Sequence, residues 1–224
     1  MIVVTGGENG EGLMQSEARQ AKPMVIQIGF NRCGTLSFHE MMSKSGYKSL
    51  HWQDDDKQVL AERMITNLSL GRAPFHGYEK VQVFSDIAHL SGRVFIAGAR
   101  FFRSLHEAYP EAYFLFNTRD RGDWIASRAA HGEGGYLRRF CKLTGATEAE
   151  VFAAWGAYYD LHSREVMDYF TTRDARFLRF ELGQDGPEKI ADWLAPDFIV
   201  DIGFWRRKNR NRQSEVLRRQ LDLD

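Results

Sequence analysis

Cysteine is scarce in this sequence, with only Cys33 and Cys141 among 224 residues. They lie far apart and form no CxxC or Cys/His spacing, which argues against a zinc site or a disulfide scaffold and suits a reducing cytoplasm. No metal is expected. A surplus of charge is also missing, because thirty basic residues face thirty acidic ones. Broad attraction to nucleic acid or to an anionic membrane is therefore not expected, and any anion site has to be built locally. Long apolar runs are absent as well: near the N-terminus the run Met24 to Ile26 is broken by Gln27. Neither a spanning helix nor a secretory segment is expected, and the chain reads as cytoplasmic.

What is present suffices for one continuous core, since 43% of the residues are hydrophobic and 13% aromatic. Residues 1–22, with "TGGENGEG", read as a flexible leader, and 23–224 as a single domain. From Met24 onward short β-rich runs alternate with helical patterns. "MVIQIGF" precedes a helix over 35–45, "YKSLHW" one over 56–70, "VQVFSDI" one over 97–109, and "AYFLFNT" one over 122–130. A long helix is predicted over 148–170, then a fifth strand in "ARFLRFEL" and a short helix over 187–194. This order predicts an α/β fold with a central, mainly parallel five-stranded sheet flanked by helices. Ligands of such sheets sit at the carboxyl ends of the strands, which directs attention to Phe30–Gly34, His51–Gln53, Asp86 and Asn117–Asp120.

The first of these ends is "GFNRCGT", a G-x-x-x-x-G loop from Gly29 to Gly34 whose backbone N–H groups can converge on a phosphate. A nucleoside triphosphatase would continue with Lys and then Ser or Thr; Thr35 and Leu36 stand there instead, which disfavours ATP or GTP hydrolysis. The positive charge is on Arg32, and hydroxyls follow at Thr35 and Ser37. A second signal is "TRDRGDWIAS", where Asp120 and Asp123 look like a helix N-cap and its partner. That places Arg119 at the strand end and Ser127 about two turns along the helix, so that a guanidinium fork and a hydroxyl can grip one anion. Without a ligand, Arg119 would pair with a nearby Asp and Ser127 would be a surface hydroxyl.

Together, "GFNRCGT", "TRDRGDWIAS" and the closing basic segment "RRKNRNR" resemble the sulfotransferases that use 3′-phosphoadenosine 5′-phosphosulfate (PAPS). The resemblance spans roughly residues 24–212 and implies a three-layer fold like that of P-loop nucleoside triphosphatases. It implies that Arg32, Cys33, Gly34, Thr35, Leu36 and Ser37 bind the 5′-phosphosulfate, with Arg32 taking the place of the family's usual lysine. Arg119 and Ser127, eight residues apart as in the family, are then the 3′-phosphate ligands. Arg207, Lys208 and Asn209 would close over the nucleotide, with Asn209 departing from the family's glycine. The implied reaction is in-line attack of an acceptor hydroxyl or amine, of a carbohydrate or small molecule, on sulfur, without a metal. Arg32 would stabilise the leaving group and a general base would take the acceptor's proton. His51 is the preferred base because its ordinary pKa is near neutrality. Asp86 is the second candidate, needing a raised pKa or else orienting His51. His39, Glu40 and His89 read as structural. Trp52 is a candidate adenine stack or a core residue. Phe101, Phe102, Tyr136, Trp155 and Tyr159 are candidates for an acceptor lining beside the long helix, or core. The rival readings are a small-molecule kinase with a related phosphate loop and a non-catalytic nucleotide-binding protein.

Overall fold

The structure, a computed structural model, describes residues 23–206 and Arg218. The expected leader, the segment Arg207-Lys208-Asn209 and most of the basic tail lie outside the described residues. In chain order the elements are β1 (Val25–Gln27), α1 (Thr35–Lys44), β2 (Ser49–His51), α2 (Leu60–Ser69), β3 (Val83–Ser85), β4 (Ala88–Leu90), β5 (Phe95–Ala97), α3 (Phe102–Ala108), β6 (Tyr113–Thr118), α4 (Arg121–Ala129), α5 (Gly135–Thr144), α6 (Glu148–Phe170), β7 (Phe177–Glu181) and α7 (Pro187–Leu194). Five strands form one sheet in the order β2-β3-β1-β6-β7, every pair parallel. This is the expected α/β architecture. From β1 the chain crosses to the edge strand β2, returns through β3 beside β1, and then passes to the other side with β6 and β7, so the carboxyl ends of β1, β3 and β6 meet where the strand order reverses.

The side-chain period explains the layers. Along β6, Phe114 and Phe116 join one core with Ile26, Phe84, Phe102 and Phe170, while Tyr113 and Leu115 join the other with Val25, Phe38, Val83 and Phe180. Both faces of the sheet are covered, which is why "YFLF" reads as an unbroken apolar run rather than an alternating one. A third cluster, around Trp124, Trp155 and Tyr159, locks α4, α5 and α6 together beside the strand ends. Tyr136, Trp155 and Tyr159 belong to this cluster and Phe102 to the first, so these candidate acceptor residues are core; Phe101 packs against the first cluster half-buried.

Three local departures from the sequence reading have physical causes. Helix α2 begins at Leu60 rather than Asp56, because the Asp54 carboxylate accepts hydrogen bonds from the backbone N–H groups of Asp56 (3.0 Å) and Gln58 (2.9 Å) and holds a turn there. The stretch before α3 opens as a 3-10 turn over Gly98–Phe101. The antiparallel hairpin β4–β5 and helix α5 lie where no element is expected: the hairpin strands are three residues each, and α5 is bounded by left-handed Gly134 and Gly145 that read as loop. No helix among the described residues is long and apolar enough to cross a membrane.

Candidate active site

The Gly29–Gly34 loop is clamped by one side chain. Asn117, at the end of β6, accepts from the Gly29 N–H (3.1 Å) and donates to the Cys33 carbonyl (3.0 Å), so both sides of the loop are fixed to the central strand. A Cβ at Gly29 would fall 2.0 Å from the Asn117 carbonyl oxygen, so only glycine fits. Within the loop Arg32 (φ 70°) and Gly34 (φ 84°) are both left-handed, a backbone course that turns successive N–H groups toward one side. Helix α1 then starts with no side-chain cap and no acidic residue in its first turn. Its amino end is left open to an anion, in contrast to α4, which Asp120 caps through the Asp123 N–H (2.8 Å) as expected from the sequence. Asn117→Ala is expected to cost about 1–3 kcal/mol of stability, through the two orphaned backbone groups, and to weaken any anion binding at the loop. Thermal melts with and without adenosine 3′,5′-bisphosphate check both effects.

The second anion-facing group comes from β6 and α4. The Arg32 Nε donates to Ser127 Oγ (3.2 Å), and Arg119 Nη1 donates to the Arg32 carbonyl (3.2 Å). Arg119 also lies 3.5 Å from Asp123, which Arg218 engages at 2.6 Å. The Arg119 backbone is held by Tyr159, whose hydroxyl accepts from its N–H (3.0 Å) and donates to its carbonyl (2.5 Å). The Arg119 Nε is buried without a partner. Burial and the neighbouring Arg119 disfavour the Arg32 charge, and Asp86 favours it; a bound anion would relieve the cost of two adjacent guanidiniums. The buried Ser37 hydroxyl donates to the Arg206 carbonyl (2.7 Å), tying the approach of the tail to the first turn of α1.

The third component is a His–Asp pair. His51 Nδ1 is 3.0 Å from Ser85 Oγ, and the Ser85 hydroxyl donates to the Leu50 carbonyl (3.2 Å). The other ring nitrogen, Nε2, faces Asp86 Oδ2 at 3.7 Å. Burial pushes His51 down to about 4 and Asp86 up to about 6, the latter opposed by Arg32 and Arg128. Burial thus disfavours the charged form of each member of the pair. Asp86 is also left-handed (φ 51°), and its buried Oδ1 has no partner, a costly arrangement of the kind that concentrates at functional sites.

These parts border one cavity of about 220 Å³, lined by Asn31, Arg32, Gly34 to Ser37, His51, Asp86, Arg119, Ser127, His131 and Leu182. A larger depression of about 730 Å³ lies at the opposite ends of the strands, around Met24 and Ala112. Of its ionic residues, Arg176 and Asp197 pair with each other at 2.9 Å and only Glu111 is left, so it gathers no cluster of cations comparable to that of the smaller cavity. Residues 24–133, which carry every part of the smaller site just described except Leu182, match the family model described as a sulfotransferase domain. The chain carries a domain of the sulfotransferase family. No individual curated protein matches it significantly.

In this sulfotransferase, all the candidate donor and base residues within the described part reach the cavity except Cys33. The Cys33 side chain is buried among Phe30, Trp124 and Tyr159, and its thiol is pushed up to about 12, so only its backbone remains for a ligand. Trp52 is 43% exposed and does not border the cavity. His39 is bonded to Ser49 (2.8 Å) and stacks on His51 at 5.3 Å; Glu40 pairs with Lys44 (3.6 Å) and His89 with Glu62 (3.2 Å). Among the described residues no group of three or more His, Cys, Asp or Glu is placed to hold a metal ion. The sequence points to the strand ends that hold Asn31 and Asn117 without giving either a role; the structure adds the Asn117 clamp and the Asn31 carbonyl, which accepts from Trp124 Nε1 (2.9 Å).

Proposed function

We propose that this sulfotransferase takes its sulfuryl group from 3′-phosphoadenosine 5′-phosphosulfate and passes it to an acceptor hydroxyl or amine of a carbohydrate or small molecule by in-line displacement. The observation that carries this reading is the convergence of the open amino end of α1, Arg32, Arg119, Ser127 and the His51–Asp86 pair on one cavity. Backbone N–H groups of Gly34, Thr35 and Leu36, with the Thr35 and Ser37 hydroxyls, face the 5′-phosphosulfate. Arg32 neutralises the charge that develops on the leaving phosphate oxygen, and Arg119 with Ser127 takes the 3′-phosphate. Fixed guanidinium and N–H donors supply this stabilisation without a metal. Asp86 acts as the general base, and His51 is its neutral neighbour. Arg207, Lys208 and Asn209, which lie outside the described residues, are included in this reading as further ligands of the nucleotide. The single domain works in the cytoplasm.

The test is transfer of radiolabelled sulfate from the donor to a panel of sugars, phenols and amines, in wild type and in Asp86→Asn. Transfer to at least one acceptor, lost in the variant, is the expected result. Failure of every acceptor, or full turnover by Asp86→Asn, contradicts the reading.

A further inference from the structure

Asp123, in the first turn of α4, is claimed by two arginines. Arg119 approaches one of its carboxylate oxygens, with Nη2 3.5 Å from Oδ2, which is too far for a good hydrogen bond. Arg218 takes the other, its Nη1 donating to Oδ1 at 2.6 Å, and its Nη2 stands 3.3 Å from Asp120 Oδ1. Arg218 comes from 95 residues farther along the chain than Asp123. It lies outside the matched residues 24–133 and beyond the basic segment Arg207-Lys208-Asn209.

The placement matters because Arg119 borders the donor cavity. Arg119 Nη1 donates to the Arg32 carbonyl (3.2 Å), and its buried Nε has no acceptor, so the guanidinium still has donors to offer an anion. A bare carboxylate beside it opposes anion binding twice: it draws Nη2 into an ion pair, and it repels the incoming negative charge. Yet both carboxylates are needed by the helix start, where the Asp123 N–H donates to Asp120 Oδ1 (2.8 Å) and negative side chains suit the amino end. Arg121 does not help, because it pairs with Asp160 (3.2 Å). With Arg218 in place, two cations face two carboxylates, and the shorter contact to Asp123 is the one that spares Arg119.

We propose that Arg218 is a positioning residue for the donor: by holding Asp123 it leaves the Arg119 guanidinium free for the 3′-phosphate, and so selects nucleotides that carry that phosphate. This rests on the sulfuryl-transfer reading. Without Arg218, Asp123 closes on Arg119 as an i,i+4 ion pair, and the phosphate has to break that pair to bind. Asp123 is thus shared between a state that admits the ligand and one that opposes it. The tail acts here through a carboxylate rather than by touching the nucleotide.

The experiment is calorimetric titration of adenosine 3′,5′-bisphosphate and of 5′-AMP, at low ionic strength, into wild type, Arg218→Ala, Asp123→Asn and the double variant. Arg218→Ala is expected to weaken the bisphosphate by about 3–10-fold, the size of a half-exposed ion pair acting on a group of roughly two charges, and to leave 5′-AMP nearly unaffected. Arg218→Lys should recover part of the loss, and added salt should shrink it. Asp123→Asn should bind the bisphosphate at least as tightly as wild type. In that background Arg218→Ala should lose most of its effect, because the carboxylate it holds is gone. Equal losses from Arg218→Ala with and without the Asp123 carboxylate, equal losses for the two nucleotides, or unchanged bisphosphate binding in Arg218→Ala overturns the proposal and leaves the donor reading intact. Absence of bisphosphate binding in wild type overturns both.

Discussion

Asp86→Asn is expected to abolish turnover and to make the protein more stable. Removing a positioned general base lowers the rate by about 10²–10⁴. The stability effect follows from the carboxyl's position near 6 in the fold against its ordinary 3.8. That value already counts the attraction of Arg32 and Arg128, so the ionised form is a net burden on the folded state. With a folded pKa above the unfolded one, wild type loses stability as pH rises from about 4 to about 6, and the deficit stays constant at higher pH. Asparagine carries no charge to bury and tolerates the left-handed backbone at this position. The gain at pH 7–8 is expected on the order of 1–3 kcal/mol, roughly 2–10 °C in melting temperature for a chain of this size. It should vanish below about pH 4. Parallel melts of wild type and variant across this range check the sign: a variant less stable at pH 8 would mean that Asp86 is a structural counter-ion for the two arginines.

The second large effect concerns Arg119. Wild type should bind adenosine 3′,5′-bisphosphate at least about a hundredfold more tightly than 5′-AMP, because the 3′-phosphate brings roughly two charges that Arg119 and Ser127 meet directly. Arg119→Ala should lose about 10–100-fold for the bisphosphate, the worth of one or two hydrogen bonds to a charged group, and leave 5′-AMP nearly unaffected. Arg32→Ala, by contrast, should weaken both nucleotides together, since its place is at the 5′ end. Calorimetric titration of the two ligands into the two variants separates these patterns. If Arg119→Ala weakened both ligands equally, its role would be to hold the loop through the Arg32 carbonyl rather than to read the 3′-phosphate.

The contrast between α6 and the β4–β5 hairpin shows what local patterning can encode. Helix α6 is bounded by a capping box at Thr147 and Glu150 and carries its apolar residues at helical spacing, so its limits are visible in the sequence. The hairpin strands have no such length, and their side chains are half-buried against distant partners such as Phe140 and Tyr158. The donor loops were legible because glycine placement and helix caps are local. Arg128 was not, because a cation at the end of a helix normally reads as a favourable helix-dipole contact. Only the fold brings Phe95, Trp124, Tyr136 and Trp155 around it. The preference for His51 as base rests on its ordinary pKa; burial, which the sequence does not display, moves His51 down and Asp86 up.

The most direct measurement is thermal stabilisation of the wild-type protein by adenosine 3′,5′-bisphosphate in EDTA, set beside ATP with magnesium. A site built from the α1 amino end, Arg32, Arg119 and Ser127 should bind the bisphosphate without metal. At a hundredfold excess over its Kd the ligand should add about 2.7 kcal/mol, and ATP with magnesium much less. No shift with the bisphosphate alongside a clear one with ATP and magnesium would contradict the account at its centre.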